Sequence, residues 1–278
     1  MSFKHAVIFY NADKTHNQAL AHEVETHIRT LGVDARLLTD YADLAGLPET
    51  DLVISMGGDG TTLYTARAVA PLGLPIFSIN CGTLGFLSVC EAAAYKERLA
   101  DLFAGKYEVN ERFMLSADLV QNGHTVRQNL LAFNDCVIRA ASPRAFSLSA
   151  RFNGHVLQNY FGDGVIISTP TGSTAYSLAA GGPIIEPNVD VLLITPICPH
   201  TLNQRPLILP AHGRLTFTPR FKNPADRAVV SLDGQNNFPL ENDCQVVISR
   251  SAVKAKIITS EGCDFFTILS RKLQWGKR

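Results

Sequence analysis

The first hundred residues alternate between two hydrophobic periods. Short apolar runs occupy His5–Tyr10 (HAVIFY), Asp34–Leu38, residues 51–56 (DLVISM) and Pro75–Asn80 (PIFSIN), and read as buried strands. Between the first two, Leu20, Val24, Ile28 and Leu31 recur at spacings of 4, 4 and 3, one face of a helix that Gly32 is placed to end. Residues 61–70 and 92–103 are further helical candidates. Strands alternating with helices predict a mostly parallel sheet covered on both faces. Such sheets bind ligands beyond the carboxyl ends of their strands. Two segments occupy that position: Gly57-Gly58-Asp59-Gly60-Thr61, and Asn80 to Leu87 (NCGTLGFL).

After about Met114 the period changes to that of short strands in succession: 115–120, 125–132, 135–139, 147–152 and 155–160. Asn122-Gly123 and Asn153-Gly154 are hairpin signals, since both residue types tolerate the positive φ of a type I′ turn. Later candidates are 191–195, 214–218, 228–232, 244–249 and 254–259. A run of strands after a run of strand–helix units predicts two domains. The first is α/β, residues 1–113 with the apolar tail 260–278 docked back on it; the second, 114–259, is all-β.

Bulk properties narrow the classes of function. The 278 residues are 46% hydrophobic and 18% charged, the balance of a globular chain. Lys plus Arg and Asp plus Glu number 25 each, so broad electrostatic binding to nucleic acid or an acidic membrane is not expected. No apolar run reaches the ~20 residues of a membrane span, and no signal-like pattern opens the chain; a cytoplasmic protein is the expectation. Six scattered cysteines read as reduced, buried hydrophobes. Cys198 and His200 are the one close Cys/His pair, and two ligands do not make a metal site.

The chemistry concentrates in two places. In GGDGT, glycines between a strand and a helix let main-chain N–H groups approach phosphate oxygens. It is neither a Walker A loop nor a G-x-G-x-x-G fingerprint. Asp59 stands out: a carboxylate among such amides is useful when it takes the proton of an attacking hydroxyl. The plainer reading is a Gly-rich turn with Asp capping a helix. In the second place, Gly162-Asp163-Gly164 precedes Thr171-Gly-Ser-Thr-Ala-Tyr176 by a short buried strand. Its hydroxyls and turn suit a polar ligand, and Tyr176 suits a flat ring; a capped Ser/Thr turn without ligand is the alternative.

GGDGT, N-x-G-x-L-G-F-L, Asn134-Asp135, GDG and TPTGSTAYSLAAGGP stand in this order in the chain. With Pro199-His-Thr-Leu202, Arg205-Pro-Leu207 and Asp233-Gly-Gln235, they make it resemble the ATP-NAD kinase family over essentially its whole length. GGDGT alone is shared with diacylglycerol and sphingosine kinases; the long Ser/Thr motif is specific. The resemblance implies a Rossmann-like N-terminal domain of the NAD kinase/diacylglycerol kinase type, a β-sandwich C-terminal domain, and a site in the cleft between them. It implies phosphorylation of the adenosine-ribose 2′-hydroxyl of NAD to give NADP, with ATP, or in some members inorganic polyphosphate, as donor and a divalent metal, Mg or Mn.

By the same matching, Asp59 is the base, and Gly57, Gly58, Gly60 and Thr61 line phosphates. Asn134 and Asp135 bind NAD, the carboxylate accepting from ribose hydroxyls. Thr174, Ala175 and Tyr176 surround the adenine, and Asp163 meets the nicotinamide half, across a subunit contact in a homodimer or homotetramer. Leu84, Phe86, Phe161, Thr171, Ser177, Ala179 and Gln235 complete the implied NAD contacts; the residues that would meet the metal stay unassigned. Two positions depart from the pattern. The family's Asn-Glu pair is Asn-Asp here, one methylene shorter, and Phe161 replaces an Arg of close relatives. His5, His16, His22 and His27 read as structural or exposed, and His200 as a loop-shaping residue. Two other readings share some of these features: a lipid kinase, which GGDGT alone allows, and an NADP-responsive sensor, against which Asp59 argues.

Overall fold

The computed structural model describes residues 3–12, 15–40, 49–83, 85–223, 225–260 and 264–274. They form two compact units, one of residues up to Arg112 and from Val253 on, the other of Phe113–Ala252.

In the first unit, β1 (His5–Tyr10), β2 (Asp34–Leu38), β3 (Leu52–Gly57) and β4 (Pro75–Asn80) make a parallel sheet in the order β4-β3-β1-β2. Short β5 (Cys90–Glu91) runs parallel beside β4. Every residue of β3, and Ala6 to Tyr10 of β1, is buried. That continuous burial is the mark of parallel strands covered on both faces. Three helices connect them: α1 (Thr15–Thr30), α2 (Asp59–Val69) and α3 (Tyr95–Phe103).

The α1 face differs from the expected one. Asn17, Ala21, Val24 and Ile28 are the buried residues, while Leu20 is half-buried and Leu31 is 37% exposed. The helix ends at Thr30, and Gly32 turns the chain at φ 82°, so Leu31 lies beyond the last turn and off the packed stripe. The helix expected at 61–70 starts two residues earlier, with Gly58 as N-cap, which places Asp59 in its first turn.

The second unit is antiparallel. The remaining elements are β6 (Glu108–Gln121), β7 (His124–Ala132), β8 (Asp135–Ala140), β9 (Phe146–Phe152), β10 (His155–Gly162), β11 (Gly164–Ser168) and short α4 (Tyr176–Ala179). They continue with β12 (Val191–Ile197), β13 (Leu207–Pro210), β14 (Leu215–Arg220), β15 (Ala228–Leu232), β16 (Asn236–Leu240) and β17 (Cys244–Thr259), whose end, with α5 (Phe265–Leu273), belongs to the first unit. One sheet contains β10-β9-β14 and the first half of β17; the other runs β13-β12-β11-β8-β15-β16. Leu148, Leu215 and Phe217 of the first share one core with Ile138, Ile167, Ile194 and Val230 of the second. Alternation sets the inward face: Phe146, Leu148 and Ala150 of β9 are buried, with half-buried residues between. The Asn122-Gly123 and Asn153-Gly154 hairpins carry positive φ at both residues, 51° and 79°, then 50° and 82°.

The strands expected at 244–249 and 254–259 are one strand, β17. Its first half pairs antiparallel with β14 and its end pairs parallel with β4, Lys256 opposite Pro75. The stretch from Arg250 to Val253 holds no Gly or Pro to stop it. Cys81, Cys90, Cys136, Cys198 and Cys244 are free thiols; Cys263 and residues 275–278 of the basic tail lie outside the described residues.

Candidate functional site

In the first unit the chemistry gathers where β3 and β4 end. Gly57 is buried, and a Cβ on it would overlap Thr61 Oγ1; its carbonyl accepts the Cys81 N–H at 3.2 Å, tying the two strand ends together. The chain then enters α2, with the Thr61 and Thr62 N–H groups bonded to the Gly58 carbonyl at 3.0 and 3.2 Å. Gly58 brings no capping side chain, and the dipole at this helix N-terminus favours an anion.

Asp59 is half-buried and is held by the loop after β4. Its Oδ2 accepts the Phe86 N–H at 2.8 Å and its Oδ1 the Leu87 N–H at 3.1 Å. A carboxylate has about four lone-pair positions, so each oxygen keeps one for a further donor. The loop is anchored from below as well: Ser78 Oγ donates to the Leu87 carbonyl at 2.6 Å and accepts the Val89 N–H at 3.2 Å. Asn80 Oδ1 accepts the Gly82 N–H at 2.9 Å. Lys272 Nζ stands 5.5 Å from the centre of the Phe86 ring. Leu84 lies outside the described residues.

In the second unit Asn134-Asp135 forms the junction of β7 and β8, and three neighbours hold its backbone. Asp233 Oδ1 accepts the N–H groups of Asn134 (2.7 Å) and Asp135 (3.1 Å), and its Oδ2 that of Phe133 (3.0 Å). Thr169 donates its N–H to the Asn134 carbonyl at 2.9 Å and its hydroxyl to that of Phe133 at 2.7 Å. Gly172 packs so closely that a Cβ would overlap the Asn134 carbonyl. Asn134 and Asp135 are both buried, and Asn134 Oδ1 has no protein hydrogen-bond partner. Burial, and secondly the Asp233 charge, push the Asp135 carboxyl up to about 7.

These residues line a cavity of about 440 Å³ together with Arg139, Ala175 and Tyr176. Tyr176 is 44% exposed, a large apolar side chain left open at the start of α4. Several of the expected hydroxyl contacts are engaged within the protein. Ser173 Oγ donates to the Pro170 carbonyl at 2.6 Å and accepts the Ile185 N–H at 3.0 Å. Ser177 Oγ is 2.7 Å from Thr195 Oγ1, and Thr174 Oγ1 donates to the Thr171 carbonyl at 3.3 Å. The Ser/Thr richness of this segment therefore builds its turn, and the surface it leaves open is Ala175 and Tyr176.

The other expected residues of this unit do not line that cavity. Phe161, at the end of β10, meets His200 edge-on at 5.2 Å, and the His200 N–H donates to the Phe161 carbonyl at 2.9 Å. Buried Gln204 donates to the Asn159 carbonyl at 3.0 Å and secures the same strand end. Phe161 lines a second cavity of about 170 Å³ with Arg144, Arg220 and Lys222. Asp163, Ala179 and Gln235 are exposed, and Thr171 is buried. Val137, Arg139, Ser231 and Asn237 line the larger cavity without having been anticipated as site residues, and so does Asp233, which the sequence marked only as part of a motif. The signal for Asp233 was its Asp-Gly pair between two strands, a hairpin turn with φ 51° and 68°.

Comparison with known proteins follows this division. Residues 6–107 match the family model of the ATP-NAD kinase N-terminal domain and residues 134–260 that of the C-terminal domain. An NAD kinase of Lachnoclostridium phytofermentans is 37% identical over 276 residues, 95% of this chain and 97% of the relative. Among solved structures, yeast NADH kinase complexed with NADH superposes with a TM-score of 0.87 at 24% identity, covering 100% of this chain and 89% of that one. An NAD kinase from Archaeoglobus fulgidus in complex with ATP gives 0.79 at 23% identity, covering 96% and 99%. At those identities the two structures speak for the fold.

Proposed function

The chain belongs to the ATP-NAD kinase family, and from that premise we propose how its residues carry out the phosphorylation of NAD to NADP. The phosphoryl donor is ATP and the acceptor is the adenosine-ribose 2′-hydroxyl. Asp59 takes the proton of that hydroxyl as its oxygen bonds to the γ-phosphorus, the bond from that phosphorus to the bridging oxygen breaks and ADP leaves. Gly57, Gly58, Gly60 and Thr61 line the phosphates at the start of α2, where the helix N-terminus favours the anion. Asn134 and Asp135 hold ribose hydroxyls, and Tyr176 packs on the adenine beside Ala175. Phe86, Phe161, Asp163, Thr171, Thr174, Ser177, Ala179 and Gln235 belong to the proposal as further NAD contacts or as their support.

The observation that carries this reading is the Asp59 carboxylate, clamped by the Phe86 and Leu87 amides at the head of a glycine-flanked helix. A residue merely capping α2 would turn its oxygens toward the amides of its own helix; Asp59 turns them toward the neighbouring loop.

Among the described residues no group of three or more His, Cys, Asp and Glu is placed to hold a metal ion. In this proposal the divalent cation enters on the ATP phosphates, since Mg²⁺ keeps phosphate oxygens and water among its ligands. Its chemistry is to neutralise charge on the transferring phosphoryl group. No helix among the described residues is long and apolar enough to cross a membrane. A cytoplasmic homodimer or homotetramer completes the proposal, with light scattering as the measure of assembly.

The deciding assay incubates the protein with NAD, ATP and Mg²⁺ and measures NADP. Formation of NADP that ends on removal of ATP supports the reading. Phosphorylation of a lipid hydroxyl in place of NAD would overturn it, as would NAD binding without turnover.

A further inference from the structure

The Asn134-Asp135 dipeptide reaches its conformation through one side chain ~100 residues away in sequence. Asp233 sits in a left-handed turn, φ 51°, made possible by the Asp-Gly pair that closes β15 onto β16. From there its carboxylate accepts three consecutive N–H groups, those of Phe133, Asn134 and Asp135, at 3.0, 2.7 and 3.1 Å. Its own N–H donates to the Asp135 carbonyl at 2.9 Å, closing a ring of main-chain bonds around the dipeptide. Both side chains are buried, 5% exposed for Asp135 and 8% for Asp233, and both line the same cavity.

Two carboxylates this close share a low-dielectric pocket with little to separate their charges. The other ionisable side chains lining it are Arg139, exposed four residues along β8, and Tyr176, exposed on α4. β11 and β15, which flank β8, and β16 beyond them carry no ionisable group. The adjoining Cys136 thiol is buried and stays protonated, its ionisation pushed up by burial and by the two carboxylates. The charge that acts on Asp135 from within the fold is thus that of Asp233.

We propose that Asp233 is the positioning residue of the dinucleotide site: it fixes the direction of Asn134 and Asp135, and its charge adds to burial in setting whether Asp135 faces the ligand as an acceptor or as a donor. Three N–H groups turned toward Asp233 fix its carboxylate beside Asp135, and burial first, then the Asp233 charge, keeps a proton on Asp135 until the solution is near neutrality. Below that point Asp135 presents an O–H; above it, a carboxylate able to accept from a ribose diol. Asp135 has a single methylene between backbone and carboxyl, and its N–H is bonded to Asp233, so the carboxyl has little reach with which to withdraw. The proposal rests on the reading of this cavity as the NAD site.

The test measures Kd for NAD by calorimetry on either side of pH 7, with NADP formation recorded in parallel. For the wild type, Kd rises as pH falls through about 7, by about tenfold per pH unit at the limit. In Asp135→Asn the dependence disappears, because the titrating group is gone while the acceptors of Asp233 are untouched. In Asp233→Asn the inflection moves to lower pH by about one unit or more, a change that a merely structural residue would not produce. An inflection that persists in Asp135→Asn, or one unmoved in a folded Asp233→Asn, overturns the proposal. Wild type that binds NAD with the expected pH dependence yet makes no NADP would sink the enzymatic reading and leave this one standing; failure to bind NAD would remove both.

Discussion

Gly85 lies so close to Asp59 that a Cβ at position 85 would overlap the Asp59 Oδ1 atom. The contact follows from the hydrogen bonds: Asp59 accepts the amides of residues 86 and 87, so the preceding backbone must pass beside the carboxylate. Gly85→Ala has to displace either that backbone or Asp59. A shift on the order of 1 Å at a reacting group costs about 10²-fold in rate, and NADP formation should fall by that much. Wild-type turnover in this variant would mean that the carboxylate relocates freely and does not work from a fixed position.

Asp59→Asn is expected to lower kcat by ~10²-fold or more with NAD affinity little changed. The substitution is less neutral in structure than its size suggests. Both oxygens accept main-chain N–H groups, and an amide presents a donor to one of them, at a cost of about 1–3 kcal/mol. The melting temperature should therefore drop as well. Calorimetric binding of NAD alongside steady-state rates separates the two effects; retention of wild-type kcat would exclude Asp59 as the base.

Tyr176→Ala should weaken NAD binding by about 1–3 kcal/mol, the range for loss of a ring packed on a base. Because the ring is 44% exposed in the protein alone, thermal stability should hardly change. Unaltered affinity would place the adenine elsewhere.

Asp135 gives the protein an unusual pH dependence of stability. Its carboxyl titrates near 7 in the folded chain against 3.8 for the free group, chiefly through burial. Between those values the native state holds a proton that the unfolded state has released, so stability declines as pH rises through this window. Above pH 7 the full penalty applies, on the order of a few kcal/mol. Asp135→Asn, which cannot ionise, should exceed the wild type in urea resistance at pH 8 and lose most of that advantage by pH 4. A gap that widens toward low pH would contradict the assignment.

Local pattern alone determined much of this protein. Buried runs of period one, alternating runs of period two and Asn-Gly turns marked the parallel sheet, the antiparallel strands and their hairpins, because each depends on residues a few positions apart. The family motifs marked GGDGT, Asn134-Asp135 and the turn before Tyr176 as the places of chemistry. Long-range contacts decided the rest. The rotation of α1 that buries Ala21 in place of Leu20 answers to the sheet beneath it, and β17 continues through Arg250–Val253 with a different partner on each half. Asp59 meets the amides at Phe86 and Leu87, and Asp233 meets those of Asn134 and Asp135, across 27 and 99 residues. Hydrogen bonds of that span have no periodic trace in a sequence. They exist only once the sheets bring the strand ends together, and they turn motif residues into a site.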